Sequence, residues 1–205
     1  MKKIHPFNNR NSALSILDNG GRFYNFLTPS GDGKIERSEL AKAAGLYTDI
    51  QSMSLYFEMI TSKLNSYEKH LLTNNLENGL KEKISRNTPE VYSVSDAKVN
   101  ASIGSTAIIQ GKVNHIDSKT QFSGFIMIPM TTNNITTFMM IPIYDQYFVY
   151  RIHDIKSDTE FIIAHSRKFN EIPEIEMRFG GIIKELKNSN SGNDKFLEAL
   201  YYREL

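Results

Sequence analysis

The sequence predicts an α+β protein. An N-terminal helical domain covers residues 1–87, a mainly antiparallel β-sheet or small barrel domain covers 88–187, and a linker with a C-terminal helix closes the chain over 188–205. Three observations lead there. Apolar residues recur at helical spacing as far as Ile84. The period drops to two after Arg86-Asn87-Thr88-Pro89, where proline disfavours helix for the residue before it. A polar run from Lys187 to Asn193 then separates the strands from a last amphipathic segment.

Taken in order, Asn11 or Ser12 caps a short helix carrying Leu14 and Leu17, which Gly20-Gly21 interrupts. Phe23, Phe26 and Leu27 give an apolar face leading into a polar loop. Ser38 to Ala44 continues as helix, and Gly45 supplies a left-handed stop. Thr48 and Asp49 are caps for the next helix, whose face is Phe57, Ile60, Leu64, Tyr67 and Leu71. Leu72, Leu76, Leu80 and Ile84 extend the stripe, with Asn78-Gly79 as a break. Strands follow near 104–116, 121–130, 135–143, 146–155, 159–166 and 174–186, rich in Ile, Val, Phe, Tyr and Thr. Short turns between them favour an antiparallel meander. Gly180-Gly181 inside the last of them reads as a bulge or corner. Asp194 is placed to cap a final helix with Phe196, Leu197, Leu200 and Tyr201 on one side.

Composition narrows the function classes. Of 205 residues, 40% are hydrophobic and 23% charged, enough apolar matter for a sizeable core. With 24 basic and 23 acidic side chains the net charge is +1, which gives no overall footprint for duplex nucleic acid or an anionic membrane. The chain has no cysteine, hence no disulfide, thiolate metal site or cysteine nucleophile. The basic start Met1-Lys2-Lys3 has no apolar run behind it, and no stretch reaches the roughly 20 apolar residues of a membrane helix. A soluble cytoplasmic protein is the default expectation.

The most specific motif runs from Thr28 to Leu40, with Gly33 at the sharp turn of a twelve-residue loop, Ile35 two places on and Glu39 at the end. Thr28, Ser30, Asp32, Lys34 (through its carbonyl), Glu36 and Glu39 occupy the six positions from which such a loop converges oxygens on a hard cation. Over residues 22–44 the chain resembles an EF-hand, and Gly31-Asp32-Gly33-Lys34-Ile35 is similar to the loops of dockerin-type modules. The resemblance implies a Ca²⁺ site. Thr28 and Ser30 stand where the family prefers carboxylates, so the site is degenerate, with an expected affinity on the order of 10⁻⁴–10⁻³ M. EF-hands pair through short β-segments at the eighth loop position, and the only second candidate, Asn74 to Ser85, lacks the ligands.

The remaining motifs have ordinary readings. His115 with Asp117, His153 with Asp154 and His165 with Ser166 are sequence neighbours, which strands turn to opposite faces. No nucleophile elbow, zinc-protease pair or phosphate loop is present, and no catalytic residue is assigned. Tyr144, Tyr147, Phe148 and Tyr150 precede Arg151 and His153, a pattern that would serve single-stranded nucleic acid if exposed. Phe125 to Met130 echoes Phe138 to Ile143, suggesting a hairpin; its Met127, Met130, Met139 and Met140 are expected to fill the core. The leading expectation is a non-catalytic binding or interaction protein with a weak or vestigial calcium loop, acting through a protein partner or self-association. The alternatives are an enzyme with its site in the β-domain or at the domain junction, and a single-strand nucleic-acid binder.

Overall fold

The computed structural model describes residues 1–19, 31–45, 49–116, 124–132, 135–154, 159–188 and 192–205. The chain divides into two compact units, Lys3–Glu90 and Met1–Lys2 with Val91–Leu205.

Among the described residues the first unit holds five helices: α1 (Arg10–Leu17), α2 (Arg37–Ala44), α3 (Ile50–Ile60), α4 (Ser66–Asn74) and α5 (Asn78–Arg86). Their starts follow capping chemistry. The side chains of Asn9, Asp49 and Asn65 accept backbone N–H groups of the first turns of α1, α3 and α4. Gly45, with φ 81°, ends α2 in the left-handed conformation that glycine adopts without strain. Helix α3 is the centre of this unit. Met53, Leu55, Phe57, Met59 and Ile60 are buried, and so are Ser52 and Ser54, so it is enclosed almost all round. The stripe from Leu72 to Ile84 breaks at Asn75–Glu77, because those residues leave the helix to bond elsewhere.

The second unit is dominated by one nine-stranded sheet to which the short strand β1 (Lys2–Lys3) contributes an edge. It comprises β2 (Glu90–Tyr92), α6 (Val94–Asn100), β3 (Thr106–His115), β4 (Gly124–Thr132), β5 (Ile135–Pro142), α7 (Ile143–Gln146), β6 (Tyr147–His153), β7 (Glu160–Ser166), β8 (Glu176–Asn188) and β9 (Gly192–Glu204). The strand order is β1-β9-β7-β6-β3-β8-β4-β5, with β2 on β3 and a further pairing of β9 with β8. The pairs β3–β6, β3–β8, β4–β5, β4–β8, β6–β7 and β8–β9 are antiparallel, while β7 and β9 run parallel through Ile162↔Phe196 and Ile163↔Leu197.

Two expectations are corrected here. The strands form a large sheet that keeps free edges, not a small barrel: β1 lies outside β9, and the β4–β5 ribbon runs on past β8, which β4 meets only at Gly124 and Phe125. The C-terminal helix is strand β9. Its spacing mimics a helix because both of its faces are buried, with Phe196 in one core cluster and Leu197 and Ala199 in the other. A strand covered on both sides loses the polar alternation that would announce it.

The cores lie on the two faces of this sheet. On one, Val94 and Ala97 of α6 meet Ile109, Val113, Tyr150, Ile163, Phe179 and Leu197. On the other, Ile143 and Tyr144 of α7 meet Ile126, Val149, Ile162, Leu186 and Phe196. The Gly180/Gly181 pair marks a register shift between β8 and β9. A Cβ on Gly181 would stand 2.2 Å from the Glu198 carbonyl oxygen, so glycine is required for this close approach.

Candidate functional site

The predicted cation loop lies at the start of α2. Thr28 and Ser30 fall outside the described residues, while Asp32, Lys34, Glu36 and Glu39 are placed. Asp32 is exposed, and its Oδ1 accepts the Lys34 N–H at 2.9 Å within the loop. Glu36 is the N-cap of α2, and Glu39 reaches back from the third helical position: Glu39 Oε2 accepts the Glu36 N–H at 2.9 Å while the Glu36 side chain accepts the Glu39 N–H. Glu39 is fully buried in that capping box. Among the described residues, no three His, Asp or Glu side chains gather as a cation would need.

The loop is held instead by an aspartate the sequence did not single out. The carboxylate of Asp18, just past α1 and 4% exposed, accepts the N–H of Gly31 through Oδ1 and the N–H of Gly33 through Oδ2, each at 2.8 Å. Asn75 closes the other side. Its Nδ2 donates to the Gly33 carbonyl at 2.6 Å, and its Oδ1 accepts from the Arg10 guanidinium at 2.8 Å. Ile35, at the eighth loop position, bridges to Leu76: its N–H donates to the Asn75 carbonyl at 2.8 Å and its carbonyl accepts the Glu77 N–H at 3.0 Å. The β-segment thus finds its partner in the α4–α5 turn of the same unit, and a carboxylate already faces the amides of the turn.

His165 is fully buried; its Nδ1 lies 3.2 Å from the Ser166 carbonyl and its Nε2 3.4 Å from the Tyr150 hydroxyl, itself the acceptor of the Ile172 N–H. Loss of solvation, against the opposing bond to the Ser166 carbonyl, pushes its pKa down to about 4. His153 and Arg151 both meet Glu160, at 3.5 and 3.4 Å. A cleft of about 170 Å³ is lined by Lys98, Arg151, Glu160 and Asp194, but the perturbed His165 does not border it. The aromatic run is turned inward. Tyr144 and Tyr150 are buried, and the Tyr147 hydroxyl donates to Glu198 at 2.7 Å.

Among the described residues, the β4–β5 ribbon gathers exposed apolar side chains on two paired strands. From Thr120 to Tyr144 there is no charged side chain. Ile126 is buried, with Ile128 and Ile141 packed beside it, which anchors the base of the ribbon. Farther out, Met127, Met130, Met139, Met140 and Phe138 are exposed, Phe138 at 62% and Met140 at 54%. In register, Met127 stands beside Met140 and Pro129 beside Phe138 on one face, and Ile128 beside Met139 on the other. The methionines expected in the core are therefore surface residues. Met127, Phe138 and Met140 on one face, with Met130 and Met139 on the other, leave both faces of an uncharged ribbon apolar and exposed, as contact surfaces are.

No protein-family model matches the chain, and no curated protein matches it. Among the described residues, no helix is long and apolar enough to cross a membrane.

Proposed function

We propose that this chain is a non-catalytic interaction protein that engages a protein partner through the β4–β5 ribbon, with a vestigial calcium loop that serves as a structural turn. The observation that carries the reading is the exposure of Met127, Phe138 and Met140 on one face, and of Met130 and Met139 on the other, of a ribbon without charge. The vestigial loop is supported by the Asp18 carboxylate on the Gly31 and Gly33 amides and by the engagement of Glu39 in the capping box. An enzymatic reading would set the buried His165 at a cleft, and it does not border the one beside Arg151 and Glu160. Stacking of single-stranded nucleic acid would ask for exposed rings where Tyr144 and Tyr150 are buried.

A photo-crosslinking amino acid in place of Phe138, activated in living cells, tests the reading. Discrete protein adducts are expected there, and none when the same group replaces Ile103, an equally exposed apolar residue on the same unit. The same adduct pattern from both positions, or no adduct from either, would sink it.

A further inference from the structure

The two edges of the β4–β5 ribbon are not alike. Pro129 has no N–H, so its pair with Phe138 belongs to the class that exchanges no hydrogen bonds across the ladder. Alternation puts Met127↔Met140 and Thr131↔Thr136 in that class too; the two threonine hydroxyls lie 3.1 Å apart, as the closer approach of such pairs allows. Residues in these pairs turn their backbone N–H and C=O outward. On β4 the outer edge carries Pro129 in its middle, which stops another strand from adding there. On β5 the outer edge presents the N–H and C=O of Thr136, Phe138 and Met140, with no charge and no proline before Pro142. Among the described residues β5 pairs with β4 alone. One edge is guarded and the other is open.

Building on the interaction reading above, we infer that the open edge is where a second copy of this chain docks, β5 against β5 in antiparallel pairing about a two-fold axis through Phe138. Parity requires the axis to pass through a residue, and Phe138 is the middle one of the three that face outward. The outward-facing residues are those able to exchange hydrogen bonds, so Phe138 meets its own mate and Thr136 meets Met140 in both directions. Two points favour a second copy over an unrelated strand. A two-fold strand pair confronts residues with like residues, and an uncharged strand does this without like-charge repulsion. An unrelated partner would find no charge on this edge to recognise or to set its register. Side chains agree as well. Phe138 and Met140, 62% and 54% exposed on the same face of β5, would pack against their counterparts across the two-fold axis.

Sedimentation equilibrium of the purified full chain, from micromolar to hundreds of micromolar, decides the matter. The expected weight-average mass rises from 23.4 kDa towards twice that value. Phe138→Pro removes one outward N–H and leaves the bonds to β4 alone, as Pro129 does on the other strand. It should weaken dimerisation about tenfold or more. Met140→Lys, which alters no backbone group, should do the same, while Ile103→Lys should change nothing. A chain that stays monomeric throughout, or dimers that survive both Phe138→Pro and Met140→Lys, would overturn the inference. If the chain is monomeric yet crosslinks at position 138 to other proteins, the second copy is wrong and the interaction reading stands. If it neither associates nor crosslinks, both fall.

Discussion

The loop before α2 and the β4–β5 ribbon divide the molecule's polar and apolar chemistry in opposite ways. In the loop, glycine amides, a carbonyl and two carboxylates all find partners inside their own unit, through Asp18, Asn75 and the Glu36–Glu39 box. In the ribbon, apolar side chains and a row of backbone groups are left without cover. The loop has the residue pattern of a binding site and is closed upon itself. The ribbon has the composition of a core and lies in the open. A binding surface is recognised by what remains unsatisfied after folding, not by the chemical interest of its residues.

Breaking the loop's internal closure should produce the largest effect. Asp18→Ala leaves the Gly31 and Gly33 amides without their charged acceptor, and should cost about 3 kcal/mol, read by urea denaturation of the full chain. Asp32→Ala removes one exposed carboxylate from a local turn and should cost under about 0.5 kcal/mol. Equal effects would mean that Asp18 does not hold the loop.

Acid separates the two units in another way. Burial holds His165 at about 4 against an ordinary 6.5. Between those values the unfolded chain binds a proton that the folded β unit refuses. Stability is therefore fully present above pH 6.5 and falls as the pH drops towards 4, by about 3 kcal/mol from this group. His165→Gln should flatten the pH dependence of unfolding in that window. A slope unchanged in the variant would assign it to other groups.

Glu39→Ala should cost about 1–2 kcal/mol by removing half of the capping box. Calcium sharpens the same point. At about 100 times the dissociation constant a genuine site would add about 2.7 kcal/mol of stability, and no shift of the melting temperature is expected at millimolar calcium. A rise that Glu39→Ala abolishes would restore the cation site.

Much of the fold was legible in local pattern, and the misreadings have physical causes. Gly45 and Asp49 announced a helix stop and a cap, because these are one-residue effects. The segments read as strands lie on β3 to β8, and even β7, buried on both faces, was legible through its Phe and Ile residues. Strand β9 was missed because burial on both sides erases alternation. Asp18 was not legible at all. Its partners are 13 and 15 residues away, across a stretch whose path no local rule supplies. The ribbon was misjudged since Met and Ile carry the same apolar signal whether buried or exposed. The signal that could have revealed it is the missing charge from Thr120 to Tyr144, which leaves strand edges unprotected.

The smallest effect is the most telling for the ribbon. If Phe138 belonged to the core, truncating it would cost about 3–5 kcal/mol, as buried aromatics do. At 62% exposure it has little to lose, and Phe138→Thr, which suits a strand, should leave the stability of the dilute monomer within about 0.5 kcal/mol. Ile126→Ala at the ribbon's base, where the side chain is buried beside Val149 and Leu186, should cost about 2–4 kcal/mol in the same denaturation experiment. The ratio of the two is independent of any partner. A large loss at Phe138 would mean that the ribbon folds back onto the sheet, and the open edge from which docking was inferred would no longer exist.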